Sequence, residues 1–336
     1  MKDNIILLGH GDGGMLSHEL VTQKFLPLFT NSYLDRLEDG AVFDIGTEKL
    51  CFSTDSYVIN PIFFPGGDIG SLAVHGTVND LSMCGGIPLF MSTGFILEEG
   101  FPLEHLEQII ASMAQAAAQA DVKIVTGDTK VVPRGAADGL FINTTGIGVI
   151  RYEGTISTDS IVPGDAVIVN GTLGDHGAAI LSKREELGLH TELVSDSAPL
   201  NGLVQNILNA SSNIHAMRDA TRGGLGAILA EIAEQTHCHI GLEEKAIPVK
   251  DAVRGVCEIL GFDPLFLANE GKMVVFCSPE DAEKVLHIMK DHPYGTDAAI
   301  IGQVEKKGTG RLILHTMIGG SRVIDLPAGE LVPRIC

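Results

Sequence analysis

The sequence contains no Cys-x-x-Cys pair, no G-x-x-x-x-G-K-[ST] phosphate loop and no apolar run approaching membrane-spanning length. Without paired cysteine spacing, the six cysteines (Cys51, Cys84, Cys238, Cys257, Cys277 and Cys336) fit neither a zinc module nor a disulfide framework. They read as free thiols of a reducing, cytoplasmic protein. Cys51 and Cys277 lie in apolar runs and read as small core residues. Cys238, flanked by His237 and His239, has no further ligand nearby to complete a metal shell. Without the phosphate loop, any ATP site must be of another type. Near the N-terminus only residues 5–8 are apolar, too few for a secretory leader. Basic residues are also scarce: 23 Lys and Arg face 43 Asp and Glu, a net charge of −20. Phosphate backbones and anionic membranes are bound through Lys and Arg, so neither nucleic acid nor membrane is an expected partner. A nucleotide needs only a local cradle and stays open.

What is present is a glycine-rich chain of mixed pattern. It has 336 residues, 40 of them glycine, with 45% hydrophobic residues, enough to bury two cores. Strands are expected at 5–8, 41–45, 49–52, 88–97, 122–125, 140–150, 166–170 and 272–277. Helices are expected at 71–84, 103–120, from 178 and at 280–290. Turns at Gly46-Thr47 and Gly319-Gly320 predict hairpins. A polar stretch at 151–160 marks the expected boundary between an αβ domain at 1–155 and a second at 156–326. Residues 327–336 hold two prolines and no periodicity, so they read as a mobile tail. Its last residue is Cys336, a sulfur free to travel if the tail is not tied into a core.

Gly9-His10-Gly11-Asp12-Gly13-Gly14 spells G-x-G-x-x-G between an expected strand and a helix. The dinucleotide fingerprint also needs a second strand ending in an acid about 20 residues on, and residues 31–36 are polar instead. The more general reading is a loop whose backbone N–H groups wrap an anion. Asp12 must then point away or face a metal. A second glycine loop, 171–177, carries His176. Four acids stand out by placement. Asp55 and Asp128 follow apolar strands, Asp80 is mid-helix among apolar neighbours, and Asp68 closes the turn Pro65-Gly66-Gly67-Asp68. Singly, each is an ordinary solvated acid. As a set without His or Cys partners they suit a hard cation such as Mg2+ bridging phosphates.

Ser53-Thr54-Asp55, Asn79-Asp80-Leu81, Gly127-Asp128-Thr129 and Thr221-Arg222-Gly223-Gly224-Leu225 occur in an order that resembles the aminoimidazole ribonucleotide synthetase superfamily. Within it, His10-Gly11-Asp12-Gly13-Gly14, Phe52-Ser53-Thr54-Asp55-Ser56-Tyr57-Val58, Asn269-Glu270-Gly271 and Pro333-Arg334-Ile335-Cys336 resemble the carbamoyl dehydratase branch that serves hydrogenase maturation. The resemblance spans essentially the whole chain, and the final cysteine is its most specific element. It implies two αβ domains, an N-terminal ATP-binding domain that pairs in a homodimer, and a tail carrying the working thiol. It implies that Cys336 receives a carbamoyl group from the carbamoyltransferase HypF. ATP then drives dehydration to an S-cyanate, and the cyano group passes to iron in the HypC–HypD complex as a [NiFe]-hydrogenase ligand.

The roles that follow are these. Asp55, Asp80 and Asp128 hold Mg2+, with Asp68 a weaker member of the nucleotide site. Gly11, Gly13 and Gly14 cradle phosphate. Arg222 and Asn269 contact the nucleotide. Lys130, His176 and Glu270 are unranked candidates for phosphate contact or proton transfer. Two other readings stay open: a small-molecule synthetase of the same superfamily, with Cys336 incidental, and a non-catalytic thiol carrier.

Overall fold

The computed structural model describes residues 5–29, 31–184, 191–327, 332 and 334–336. The chain opens with helices α1 (Met15–Leu20) and α2 (Leu26–Phe29), joined by a π-helical turn at Val21–Phe25. The strand expected at 5–8 does not form. Leu8–Gly11 makes a 3-10 turn instead, with the Leu7 N–H donating to His10 Nδ1 at 3.0 Å. A four-residue apolar run carries no period that separates strand from turn.

The next elements are β1 (Ala41–Ile45), β2 (Glu48–Tyr57), β3 (Phe63–Phe64), β4 (Gly67–Asp68), α3 (Ile69–Met83), β5 (Gly86–Glu98), α4 (Leu103–Gln119), β6 (Lys123–Val132) and β7 (Leu140–Ile150). Five of the strands form a sheet in the order β1-β2-β7-β5-β6. The hairpin at Gly46 and the helices α3 and α4 form where the sequence places them. Two strands run further than expected, however. β2 pairs with β7 as far as Tyr57, setting Asp55 opposite Thr144. β6 pairs with β5 as far as Val132, setting Asp128 opposite Gly94. The Ser- and Thr-rich continuations suit a pleated ladder as well as the apolar residues before them. Both acids are therefore inside strands rather than at their ends.

The second set comprises β8 (Ala166–Val169), α5 (Asp175–Lys183), α6 (Asn201–Ala210), β9 (Ile214–Asp219), α7 (Gly224–Thr236), β10 (Cys238–Glu243), α8 (Asp251–Leu260), β11 (Met273–Cys277), α9 (Ala282–Lys290), β12 (Ala299–Lys307), β13 (Leu312–His315) and β14 (Ser321–Ile324). Its seven-stranded sheet runs β14-β13-β10-β12-β8-β11-β9. No helix among the described residues is long and apolar enough to cross a membrane.

Helix α3 is the keystone of the site. Asp68 is its N-cap: its carboxylate accepts from the N–H groups of Gly70 at 2.8 Å and Ser71 at 3.0 Å. Ser71 Oγ lies 3.1 Å from the Asp68 N–H, completing a capping box worth about 1 kcal/mol. Asp68 is thus occupied in starting the helix. Nearly all of α3 is buried, because it lies across the sheet and against the second half of the chain at once. Its apolar residues share a core with Ala178 and Ile180 of α5 and with Val253 and Val256 of α8.

Val332, Ile335 and Cys336 join that same core. The described end of the tail is therefore seated against the core, a resting place that the sequence does not mark. Val58 N–H donates to Cys336 O at 3.0 Å and Asn60 N–H to Arg334 O at 3.1 Å, in the manner of an added strand. Arg334 Nε donates to Val58 O at 2.8 Å. The apolar side chain of Ile335 and these backbone bonds outweigh the lack of periodicity in the sequence.

Candidate active site

A cavity of about 670 Å³ opens where α1, β2, α3 and the turn after β9 meet. Its wall includes Gly13, Asp55, Asp80, Asp219, Arg222, Glu270 and Cys336. Asp55 comes from β2 and Asp80 from the last turns of α3. Ser53, one pleat from Asp55 on the same strand, donates to Asp80 Oδ2 at 2.6 Å and fixes that carboxylate. Asp219 ends β9, and the turn that follows presents Arg222. Glu270 hangs from the loop before β11. Its N–H donates to Asp196 Oδ1 at 3.1 Å, and its carbonyl accepts from Asn79 Nδ2 at 3.3 Å. Its side chain is 3% exposed, and Oε1 has no hydrogen-bond partner among the described residues.

The electrostatics are those of crowded acids. Burial, then Asp219, Asp55 and Asp39, push Asp80 well above the usual carboxylate range, with Ser53 opposing. Burial and Asp39 do the same to Asp219. Glu270 is raised by burial and by Asp219, Asp55 and Asp196, against the pull of Arg222. Desolvation and like charge both penalise ionisation, and a bound cation relieves both. Among the described residues no three His, Cys, Asp or Glu side chains form a ready-made metal site. Mg2+ is ordinarily held by one or two carboxylates together with nucleotide phosphates. The donor set, hard oxygens in excess of local positive charge, fits a metal that arrives with its nucleotide. Cys336 is 7% exposed. Burial pushes its thiol well up, with Arg222 opposing, so the free residue rests as the protonated thiol.

The structure brings together Gly13, Asp55, Asp80, Arg222, Glu270 and Cys336, and leaves the other expected residues elsewhere. Gly13 has φ +78°, and a Cβ there would sit 2.8 Å from Arg222 O, so glycine lets this loop press on the Arg222 turn. Its N–H is taken by Ser17 Oγ at 3.0 Å. Gly11 and Gly14 do not line the cavity. Gly14 caps α1 beside Pro327, whose carbonyl accepts from Met15 N–H at 3.1 Å. Asn269 is spent on the scaffold: Oδ1 accepts from Gly174 N–H at 2.7 Å, while Nδ2 reaches Ala220 O at 2.8 Å and Leu267 O at 3.1 Å. His176 is fully buried and bonds Ser195 Oγ and Ile335 O rather than facing the cavity. Asp128 and Lys130 pair with each other on the exposed edge strand β6, at 2.6 Å and with both side chains about 70% exposed. Within one chain they do not join Asp55 and Asp80.

Sequence reasoning missed Asp39 and Asp219. Asp219 stood three residues before Arg222 at a strand end, a signal that was there to use. Asp39 enters the cavity wall from an irregular turn and forms a 2.6 Å pair with Arg218. Nothing in its local sequence marks it.

Residues 37–150 match the family described as "AIR synthase related protein, N-terminal domain", and residues 162–315 match the corresponding C-terminal domain. The carbamoyl dehydratase HypE of Escherichia coli strain K12 is 50% identical over 339 residues, covering 99% of this chain and all of that protein. A crystal structure of the hydrogenase maturation protein HypE in complex with ATP is 48% identical with a TM-score of 0.83, covering 99% of this chain and 100% of that one. The HypE structure from a HypE–HypF complex is likewise 48% identical, with a TM-score of 0.87, covering 92% of this chain and 99% of that one. The chain belongs to the AIR synthase related family and, within it, to the HypE carbamoyl dehydratases.

Proposed function

We propose that the chain dehydrates an S-carbamoyl group on Cys336 to S–C≡N at the expense of ATP, supplying cyanide ligands for [NiFe]-hydrogenase. The observation that carries this reading is the seating of Cys336 in the wall of the same cavity as Glu270, Arg222, Asp55, Asp80 and Asp219. The γ-phosphoryl group passes to the carbamoyl oxygen, which becomes a good leaving group. ADP departs, and one N–H proton goes to Glu270. Loss of phosphate with the second N–H proton leaves the nitrile. A neutral S-carbamoyl group suits the buried seat better than a thiolate does. Arg222 offers fixed positive charge where phosphate charge accumulates. Of the three candidates for proton transfer, Glu270 alone lines the cavity, and its raised affinity for protons suits a base once ionised. Asp55 and Asp80, with Asp219, would hold Mg2+, which would neutralise phosphate charge when bound.

Delivery of the carbamoyl group falls to a HypF protein and acceptance of the cyano group to a HypC–HypD complex, in a cytoplasm that keeps the thiol reduced. Asp128 and Lys130 enter through a second copy in this reading. They project from an unpaired edge strand whose sheet exposes Phe90, Ile96, Ile124, Val125 and Val131. A homodimer through this face gives the pair a route to the other subunit's cavity. Mixed dimers test it. Lys130→Ala and Cys336→Ala proteins, each inactive alone, should regain about a quarter to a half of wild-type turnover per mixed dimer if Lys130 acts across the interface. No regained activity in verified mixed dimers assigns Lys130 no role across the interface.

Asp80→Asn tests the carboxylate set. The folded Asp80 carboxyl is raised above its unfolded value of 3.8, so its charge costs stability at neutral pH. The variant should melt about 2–4 °C higher at pH 7, a gain that shrinks as the pH falls through the folded value and is gone below about 3, where the folded and unfolded carboxyls are both protonated. Calorimetry should show Mg·ATP affinity reduced about tenfold or more. Unchanged affinity removes Asp80 from the metal set.

A further inference from the structure

His176 does not face the cavity, yet it is built with care. Its ring is fully buried, edge-on to Phe64 with centroids 5.5 Å apart. Nε2 lies 2.7 Å from the Ile335 carbonyl and Nδ1 lies 2.7 Å from Ser195 Oγ. A carbonyl only accepts, so Nε2 carries the proton, and Nδ1 accepts from the serine hydroxyl. Ser195 is itself fixed, its N–H donating to Pro65 O at 2.7 Å. The next residue, Asp196, accepts from the Glu270 N–H at 3.1 Å and pairs with Lys272 at 3.1 Å. Ser197 Oγ bonds His75 of α3 at 2.9 Å. One extended segment therefore ties the ring that holds the tail to the loop that presents Glu270.

We infer that His176 is a positioning residue, a latch that holds the Ile335 carbonyl so that Cys336 stays seated opposite Glu270, with Ser195 and Asp196 keeping latch and base in register. The bond goes to tail backbone, so the latch acts whatever group Cys336 carries. When the tail leaves, a buried N–H loses its acceptor, and this biases the tail towards the seat. The inference rests on the reading of Cys336 as the working sulfur. Its test is made without ATP or any partner protein, so the two fail independently.

The measurement is the rate at which iodoacetamide alkylates Cys336 in the full-length protein, followed by intact mass and assigned on the tail peptide. All six cysteines are buried, so alkylation at any of them reads a local opening, and the peptide assignment separates Cys336 from the other five. In His176→Ala, shown folded by its melting curve, alkylation should be about tenfold faster than in wild type, the scale set by one buried hydrogen bond. His176→Gln, whose amide N–H can reach the Nε2 position, should return most of the protection, which a merely structural role would not require. ATP affinity should stay at the wild-type value in both. If His176→Ala does not fold, Ser195→Ala frees the ring and should speed alkylation by a smaller factor. Wild-type alkylation rates in the folded variant overturn the latch.

Discussion

Replacing Cys336 with alanine should abolish cyanation while leaving ATP bound. The thiol is the attachment point of the reacting group, and no other cysteine lines the cavity. ADP formation in the presence of HypF, carbamoyl phosphate and Mg·ATP should fall to background, because the variant has no carbamoyl oxygen to receive the phosphoryl group. Calorimetric ATP affinity should stay within about threefold of wild type, less than 1 kcal/mol, since the side chain is one element of a wide wall. A variant that also fails to bind ATP would make Cys336 part of the nucleotide site itself. One that still yields a thiocyanate adduct would move the chemistry to another sulfur.

Glu270→Gln should be the second large effect, slowing dehydration of a preloaded S-carbamoyl tail by about 10²–10⁴-fold, the usual range for loss of a general base. Glutamine keeps the shape and the backbone bonds to Asp196 and Asn79, so ATP affinity should change little. The pH profile distinguishes a base from a spacer. Burial, Asp219, Asp55 and Asp196 raise the Glu270 carboxyl well above its ordinary value of 4.5. Below the folded value the group is protonated and cannot accept the N–H proton. The wild-type rate should therefore climb as pH rises through it, and the glutamine variant should lack that limb. Single-turnover rates across pH, measured with the group already loaded, check this. A glutamine variant with the wild-type rate and profile removes Glu270 from proton transfer.

The parts of this account that were legible in the sequence share a physical reason. Helix α4 shows apolar spacing over 17 residues, and the β1–β2 and β13–β14 hairpins carry glycine turns, so local pattern specified each. Helices α6 and α8 were overlooked although their amphipathic spacing was present. For the site, Asp55, Asp80, Arg222 and Glu270 were named from short motifs, and the fold brings all four to one cavity. Asn269 and His176 stood in equally suggestive motifs, but their polar atoms are spent on Gly174, Ala220, Ser195 and Ile335. A motif reports that a polar residue matters; only the partner atoms report whether it faces ligand or scaffold. Asp68 shows the same limit, because a helix cap and a metal ligand look identical as a carboxylate after a Gly-Gly turn. The seat of the tail was not legible either. Two prolines and no periodicity read as a mobile tail and mark no docking place, while Arg334, Ile335 and Cys336 bond to Val58, Asn60 and His176, all distant in sequence. Such long-range pairing leaves no local trace.

The most direct test of the central claim is intact-protein mass spectrometry of the wild-type chain incubated with HypF, carbamoyl phosphate and Mg·ATP. The account predicts a carbamoyl-sized gain on the peptide ending in Cys336, converted to a species lighter by one water only when ATP is available to this protein. With HypF shown to be active, absence of any adduct on that peptide would contradict it and favour a free small molecule as the substrate of the cavity.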